Sequence, residues 1–470
     1  MSAILDRMAG IVGAKNVVTD ADAMVPYLKE WRDLFRGKAQ AIVRPGSTAE
    51  VAELAKLAAE TGTALVPQGG NTGLVGGQIP IADGREIILS LQRLDRVRTV
   101  DTNGDTMIVE AGVTLKRAQD AAEAAGRLFP LSLASEGSCT VGGNLSTNAG
   151  GTAVLAYGNA RELCLGLEVV LPDGRIWNGL RQLRKDNTGY DLKDLFIGAE
   201  GTLGIITAAV LKLFPLPAAR ATAFLAVPTP DAALDLLNAA KAGAGGTLTT
   251  FELMPRIGLD FVLRHASGAR DPLSEPSPWY VLMEVSAQSA AGLDEHVEAF
   301  LGAALEKGIV TDAALAGSLT QRADFWKLRE MLSEVQTHEG GSIKHDVSVP
   351  VHATPEFLKR AIALVEAMVP GCRPVPFGHL GDGNIHFNVS QPVGGDKQAF
   401  LARWSEMNEA VHAIVAELHG SISAEHGIGR LKRDLLPGVK DPVELDLMRA
   451  IKRTLDPKGI FNPGAVLATK

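Results

Sequence analysis

His379 and His386, in GHLGDGNIHFN, stand seven residues apart across a glycine turn, a spacing that can bring two imidazoles onto one metal ion. In SAEHGIG a carboxylate and a further imidazole, Glu425 and His426, are adjacent. Two histidines and one carboxylate leave coordination positions open, which marks a catalytic ion and not a structural zinc. Taken singly, each histidine reads as an ordinary core or surface residue; the glycine-rich surroundings favour ligation. Cations that could fix a substrate carboxylate come from WKLREMLSE, with Arg329 on a helix and Ser333 four residues later on the same face, and from GSIKHDVSVP, with Lys344. By pattern alone, a solvated charged helix face accounts for Arg329 and Ser333 equally well.

Glycine is concentrated in two loops. PQGGNTGLVGG, residues 67–77, carries five glycines with Asn71 and Thr72 directly after a strand. Successive backbone N–H groups freed of side chains form a nest for phosphate oxygens. No GK[ST] follows and no GxGxxG opens a helix, so the loop is neither a Walker A motif nor a Rossmann fingerprint. SEGSCTVGGNLSTNAGG, residues 135–151, repeats the logic with small hydroxyl side chains. Two such loops suit a long dinucleotide with a ring at one end, one loop cradling the diphosphate and the other lying under the ring. DLFIGAEGTLGIIT, from Asp194, supplies a third piece.

The elements that must hold these loops alternate between helix and strand: an amphipathic stretch around Thr48 to Thr61, then ALVPQGG, IILSL, MIVEAG and a helix from Leu115 to Ala125. A proline-punctuated boundary, LKLFPLPAARA, ends this part. FLAVPTPDAALDLLNAA, TTFELM, WYVLMEV and LDEHVEAFLGAALEKG then read as strand, helix, strand, strand, helix, the rhythm of a ferredoxin-like domain. The finish, DPKGIFNPG, reads as a segment docking back on the first part. The expected divisions are residues 1–215, 216–420 and 421–470, in an α+β fold. A chain of 470 residues, 46% hydrophobic and 21% charged, has material for two or three folding units. Its net charge of −8 argues against nucleic acid. Three scattered cysteines give no disulfide framework and fit a reducing cytoplasm. The N-terminal stretch lacks a basic n-region and a long apolar h-region, and the apolar runs stop short of the roughly 18 residues a membrane span needs.

The motifs PQGGNTGLVGG, SEGSCTVGGNLSTNAGG, YGNARE, LKDLFIGAEGTLGIIT, GHLGDGNIHFN, SAEHGIG and DPKGIFNPG, in this order along nearly the whole chain, resemble the FAD-linked oxidases that share the vanillyl-alcohol-oxidase and p-cresol-methylhydroxylase type of flavin domain. Within them the chain resembles the D-lactate and D-2-hydroxyglutarate dehydrogenase branch. The resemblance implies a two-subdomain FAD-binding domain, a ferredoxin-like substrate domain and a C-terminal segment returning to the first. It assigns Pro67, Gly69, Gly70, Asn71, Thr72 and Gly73 to the FAD diphosphate. Ser135, Gly142, Asn144, Ser146, Asn148, Gly151 and the stretch from Gly201 to Ile206 would line the rest of the cofactor, with Asn462 closing over it. Some relatives hold FAD covalently through a histidine in the first loop; this loop has none, so FAD is expected to be non-covalent.

By the same resemblance His379, His386 and Glu425 would bind a divalent metal, usually zinc, and His426 would be the base. Arg329 and Lys344 would anchor the substrate carboxylate, with Ser333 beside Arg329 and Asn388 near the reacting group. The implied chemistry is oxidation of a D-2-hydroxy acid: a Lewis acid lowers the hydroxyl pKa, His426 takes the proton, and hydride leaves C2 for the flavin. A second anchoring cation suits a diacid such as 2-hydroxyglutarate better than lactate. A D-lactate dehydrogenase and an oxygen-using oxidase of the same fold stay open as alternatives. So do the electron acceptor, whether electron-transfer flavoprotein, cytochrome or quinone, and a homodimer.

Overall fold

The amphipathic stretch expected around Thr48 to Thr61 forms the helix Thr48–Thr61. Ser47 caps its start by accepting the Glu50 N–H at 3.2 Å, and Gly62 ends it in the left-handed region at φ 67°. Its apolar stripe of Val51, Leu54, Ala55 and Ala58 is fully buried. In the computed structural model, which describes residues 3–468, contacts divide the chain into two units. One comprises the chain up to Gly151, Gly158–Leu216 and the chain from Glu425; the other comprises Thr152–Tyr157 and Pro217–Ala424.

The first unit holds two main sheets. Strands β1 (Val17–Val18), β2 (Ile42–Val43), β3 (Leu65–Gln68) and β4 (Ile87–Ser90) lie in the order β1-β2-β4-β3, with β4 parallel to both its neighbours. An antiparallel sheet of β5 (Val97–Asp101), β6 (Thr106–Glu110), β8 (Cys164–Val170), β9 (Ile176–Gly179) and β10 (Ile205–Lys212) has the order β5-β6-β10-β8-β9. A further short pair joins β7 (Arg127–Leu128) to β11 (Phe214–Pro215). The C-terminal DPKGIFNPG segment returns to this unit: Phe461 bridges Leu65 in parallel register and is itself fully buried. Burying a side chain of that size contributes about 1.5 to 3 kcal/mol, enough to seat the returning segment.

The second unit is a seven-stranded antiparallel sheet. β12 (Ala219–Val227), β13 (Thr247–Pro255), β14 (Trp279–Ala287) and β15 (Asp312–Leu315) run β15-β12-β14-β13, and β17 (Arg373–His379), β18 (Asn384–Ser390) and β16 (Ser342–Ser348) extend that edge. The first four strands have the ferredoxin-like order, with an additional helix, Arg256–His265, between β13 and β14. Side chains alternate across the sheet. One face carries Leu225, Phe251, Val281, Met283, Ile343, Val347, Ile385 and Phe387 under the helices Pro230–Gly243, Leu293–Glu306, Thr354–Met368 and Trp404–Glu417, and forms the main core. The other face is half apolar and half polar. Phe224, Leu282, Met254, Val375 and Phe377 pack under the helices Arg256–His265 and Leu319–Glu330. The polar remainder is the candidate substrate face.

Candidate functional site

The first cofactor loop leaves the C-terminal end of β3, and the second follows β7. Gly69 and Gly70 lie against the second loop so closely that a Cβ would stand 2.2 Å from Thr140 Oγ1 and 1.9 Å from the Ser138 carbonyl. Gly142 meets Ala111 at 2.6 Å, and Gly201, at φ 70°, meets Pro67 at 2.4 Å. These glycines therefore serve loop-to-loop packing as well as any approach by a ligand. Asn71 takes φ 55°, held by its amide N–H groups donating to Pro26 O at 2.8 Å and Lys29 O at 2.9 Å. Gln78 ties Gly73 O into the same turn at 2.8 Å.

The second loop becomes the helix Val141–Thr147. Thr140 caps it, and Asn148 ends it at φ 51° with its Oδ1 accepting the Arg161 N–H. Ser146 bonds back to Gly142 O, and buried Asn144 donates to Cys139 Sγ. Ser135 and Thr72 are half-buried on their loops, and Ile206 is fully interior on β10. Asn462, at φ 44°, donates its amide to Gly77 O at 2.9 Å and Glu200 O at 2.8 Å.

These residues fit a dinucleotide. Among the described residues, no backbone N–H from Gly69 to Gly77 donates to a protein acceptor. Buried Gln68 Oε1, Ser90 Oγ and Asn462 Oδ1 have no hydrogen-bond partner there either. A buried polar atom without a partner costs about 1 to 3 kcal/mol, so a polar ligand along this rim gains by supplying one. Of the ten histidines only His426 belongs to this unit.

Glu425 and His426 open the third segment of the first unit, both half-buried. Glu425 Oε1 accepts the Gly151 N–H at 2.6 Å, and a Cβ at Gly150 would stand 2.7 Å from it. Gly151, at φ 102°, is thus both the end of the second cofactor loop and the donor that orients this carboxylate. The residue before Glu425, Ala424, donates its N–H to Asp346 O on β16 at 3.3 Å.

In the second unit, register places Glu252, His379, Asn384, His386, Asn388, Asp346 and Lys344 on one sheet face. Glu252 faces His379, His379 faces Asn384, His386 faces Asp346, and Asn388 faces Lys344. The His379 and His386 rings lie 5.6 Å apart at 77°. His379 donates Nδ1–H to Glu252 Oε1 at 2.6 Å, which directs Nε2 to any metal. His386 Nδ1 lies 3.8 Å from Asp346 Oδ1, which also accepts from the Asn384 amide at 3.0 Å.

Arg329 is buried, and its Nε–H donates to the other Glu252 oxygen at 2.7 Å, while its guanidinium lies 4.9 Å over the Phe377 ring. Burial pushes the Glu252 carboxyl up, but the charges of His379 and Arg329 outweigh it and hold the group at about 2. Burial raises the Asp382 carboxyl, in the turn between His379 and His386, against the pull of His379.

The structure gathers His379, His386, Asn388 and Lys344 on one sheet face of the second unit, with Arg329 reaching over that face from its helix, and Glu425, His426 and the expected cofactor residues in the first. Ser333 departs from the expected geometry. The helix carrying Arg329 ends at Glu330, and Ser333 lies on the short helix Leu332–Val335 that follows Met331, exposed where Arg329 is buried. Its carbonyl is 3.5 Å from Lys344 Nζ. Sequence reasoning missed Glu252 and Asp346. Their signal is a carboxylate inside an apolar strand, TTFELM and SIKHDVS, which an unpaired charge could not occupy. It also missed Glu284, a third strand carboxylate of that kind, which accepts from Arg322 Nε at 2.9 Å and Trp326 Nε1 at 3.2 Å.

Residues 39–179 match the family described as FAD binding domain, and residues 216–466 match FAD linked oxidases, C-terminal domain. The D-2-hydroxyglutarate dehydrogenase of Stutzerimonas stutzeri is 36% identical over 466 residues, covering 99% of each chain. The mitochondrial D-2-hydroxyglutarate dehydrogenase of Bos taurus is 40% identical over 459 residues, 96% of this chain and 81% of that one. Among solved structures, p-cresol methylhydroxylase superposes with a TM-score of 0.76 at 16% identity, covering 98% of this chain and 96% of that one. The 4-ethylphenol oxidase of Gulosibacter chungangensis gives 0.76 at 18%, over 99% and 96%. The p-cresol-methylhydroxylase fold and the FAD-binding domain are thereby established, and the chain belongs to the FAD-linked oxidase family, with D-2-hydroxyglutarate dehydrogenases as relatives over nearly its full length.

Proposed function

We propose that this protein is an FAD-dependent dehydrogenase that oxidises D-2-hydroxyglutarate to the 2-oxo acid with the help of a divalent ion, zinc being the best match to the donors. The observation that carries the substrate is the identity of 36 to 40% with relatives of that name across nearly the whole chain. The cations of the second unit support it, because Lys344 sits on the sheet face that carries His379 and His386, Arg329 reaches over that face from its helix, and a diacid uses two anchors where lactate uses one. Pro67, the loops at 69–73 and 135–151, the stretch from Gly201 to Ile206 and Asn462 would hold FAD non-covalently, and FAD would supply a two-electron acceptor for hydride.

His379, His386 and Glu425 would hold the ion, which supplies a Lewis acid for the substrate hydroxyl. Glu252 keeps the proton on His379 Nδ1, and Gly151 orients Glu425. Arg329 and Lys344 bind carboxylate oxygens, and Asn388 donates to the reacting end. His426 takes the hydroxyl proton as C2 gives up hydride, a base function suited to an imidazole near neutral pH. The acceptor for the electrons would be an electron-transfer flavoprotein, a cytochrome or a quinone. Among the described residues no helix is long and apolar enough to cross a membrane. The three cysteines are free and buried, which suits a reducing compartment such as the cytoplasm. A dye-linked assay over D- and L-2-hydroxyglutarate and D-lactate, before and after dialysis against a chelator with metal analysis, tests both halves. Turnover on D-2-hydroxyglutarate that vanishes with the metal while FAD stays bound is expected; full activity in a metal-free preparation removes the ion from the scheme.

A further inference from the structure

Glu200 takes φ 51°, a left-handed conformation that a residue with a long side chain adopts at a cost, and it does so in the first unit's interior. Its carboxylate is fully spent on the chain that follows His426. Oε1 accepts the Ile428 N–H at 2.7 Å and the Gly429 N–H at 3.1 Å, and Oε2 accepts the Gly429 N–H at 2.9 Å. Gly427 lies so close that a Cβ there would stand 2.7 Å from Oε1. On the opposite side Oε2 lies against Gly77 of the first cofactor loop, at 2.7 Å from the position of a Cβ. The Glu200 N–H donates to Ser146 O of the second loop at 2.8 Å, and its carbonyl accepts the Asn462 amide at 2.8 Å. Burial pushes the carboxyl up, against the N–H groups of Gly429 and Ile428. Through its carboxylate and its backbone together, Glu200 meets four separate segments at once.

We propose that Glu200 is a positioning residue for the reaction, locking the turn that carries Glu425 and His426 to the three segments that hold FAD. This rests on the reading of those loops as the FAD site and of His426 as the base. The three anchors differ in kind. The backbone of Glu200 registers the second loop and the C-terminal return, and its side chain alone reaches the His426 turn. Changing the side chain should therefore misplace His426 and loosen the first cofactor loop at Gly77, while leaving the backbone ties. Glu86 provides the comparison: it too is buried and takes a residue of the C-terminal segment, Arg430, at 3.5 Å, and its Oε2 accepts the Ile81 N–H, but it touches none of the three FAD segments.

The test compares Glu200→Gln, Glu200→Asp and Glu86→Gln holoenzymes. Glutamine at 200 turns an amide donor toward the Gly429 N–H. FAD release on dilution, followed by flavin fluorescence, should become about 10-fold easier, and anaerobic flavin reduction by D-2-hydroxyglutarate should slow by roughly 10²-fold, the scale of an ångström-level misplacement. Glu200→Asp should recover FAD retention and part of the rate, with the residual loss in kcat and not KM. Glu86→Gln should lose thermal stability with both readouts unchanged. A folded Glu200→Gln protein with native FAD retention and reduction rate overturns the proposal. If that variant fails to fold, native kcat in Glu200→Asp overturns it. A native protein whose flavin no hydroxy acid reduces would instead defeat the functional reading, with FAD retention still reporting on Glu200.

Discussion

Replacing Glu252 by glutamine removes one charge from the interior of the second unit and tests how that unit is built. Glu252 is fully buried, and its two oxygens take the His379 Nδ1–H at 2.6 Å and the Arg329 Nε–H at 2.7 Å. A glutamine amide has the same shape but one acceptor oxygen, so it satisfies one donor and turns its own N–H groups on the other. Arg329, itself buried, is left without a countercharge. Removing one partner of a buried pair costs about 3 to 5 kcal/mol. For a unit of this size each kcal/mol lowers Tm by about 2 to 4 °C, giving a drop of roughly 6 to 20 °C. Because the same carboxylate orients His379, zinc affinity should fall by about 10- to 100-fold. Scanning calorimetry and a zinc titration on the variant measure both. A melting point within about 2 °C of the native protein, with unchanged zinc binding, would refute the reasoning, since it would mean that the Arg329 charge is compensated elsewhere.

His426→Ala should slow flavin reduction by about 10² to 10⁴ with FAD and metal content intact, measured by stopped flow beside metal analysis; an unchanged rate would put the base elsewhere. Acid or heat should release FAD into the supernatant, because no histidine lies in residues 67–77; flavin that stays with the precipitated chain would contradict this. Glu339 accepts from Arg264 and His265 at 2.6 Å each and pairs with Arg373. Burial raises its carboxyl, but His265, Arg373 and Arg264 outweigh that and hold it at about 2, below the ordinary 4.5. Its contribution is therefore present in full above pH 4.5 and lost as pH falls toward 2, so Glu339→Gln should flatten the stability profile in that window. An unaltered profile by acid titration would exclude it.

Local signals made the first unit legible. A capping serine and a terminal glycine frame the helix Thr48–Thr61, and the glycine loops follow their strands at once. The two imidazoles were legible because His379 and His386 close a hairpin, where spacing along the chain equals proximity in space. Glu252 was not, since its contact with His379 joins strands 127 residues apart and no local pattern announces it. The spacing of Arg329 and Ser333 did not carry their burial: Arg329 is buried, whereas Ser333, past the break in helix at Met331, is exposed. The six residues at 152–157 were also invisible: they join the second unit, where Thr152 O accepts from Thr250 Oγ1 at 3.1 Å, although the chain on both sides belongs to the first. The glycines at 69, 70 and 142 were read as room for a ligand, while the structure shows that neighbouring protein already demands them.

The most direct measurement is anaerobic mixing of the purified yellow protein with each enantiomer of 2-hydroxyglutarate, following flavin absorbance in a stopped-flow instrument. Complete bleaching by the D enantiomer in a single turnover, with L-2-hydroxyglutarate inert and D-lactate far slower, is the expected result; a flavin that stays oxidised with D-2-hydroxyglutarate and bleaches with D-lactate would contradict it.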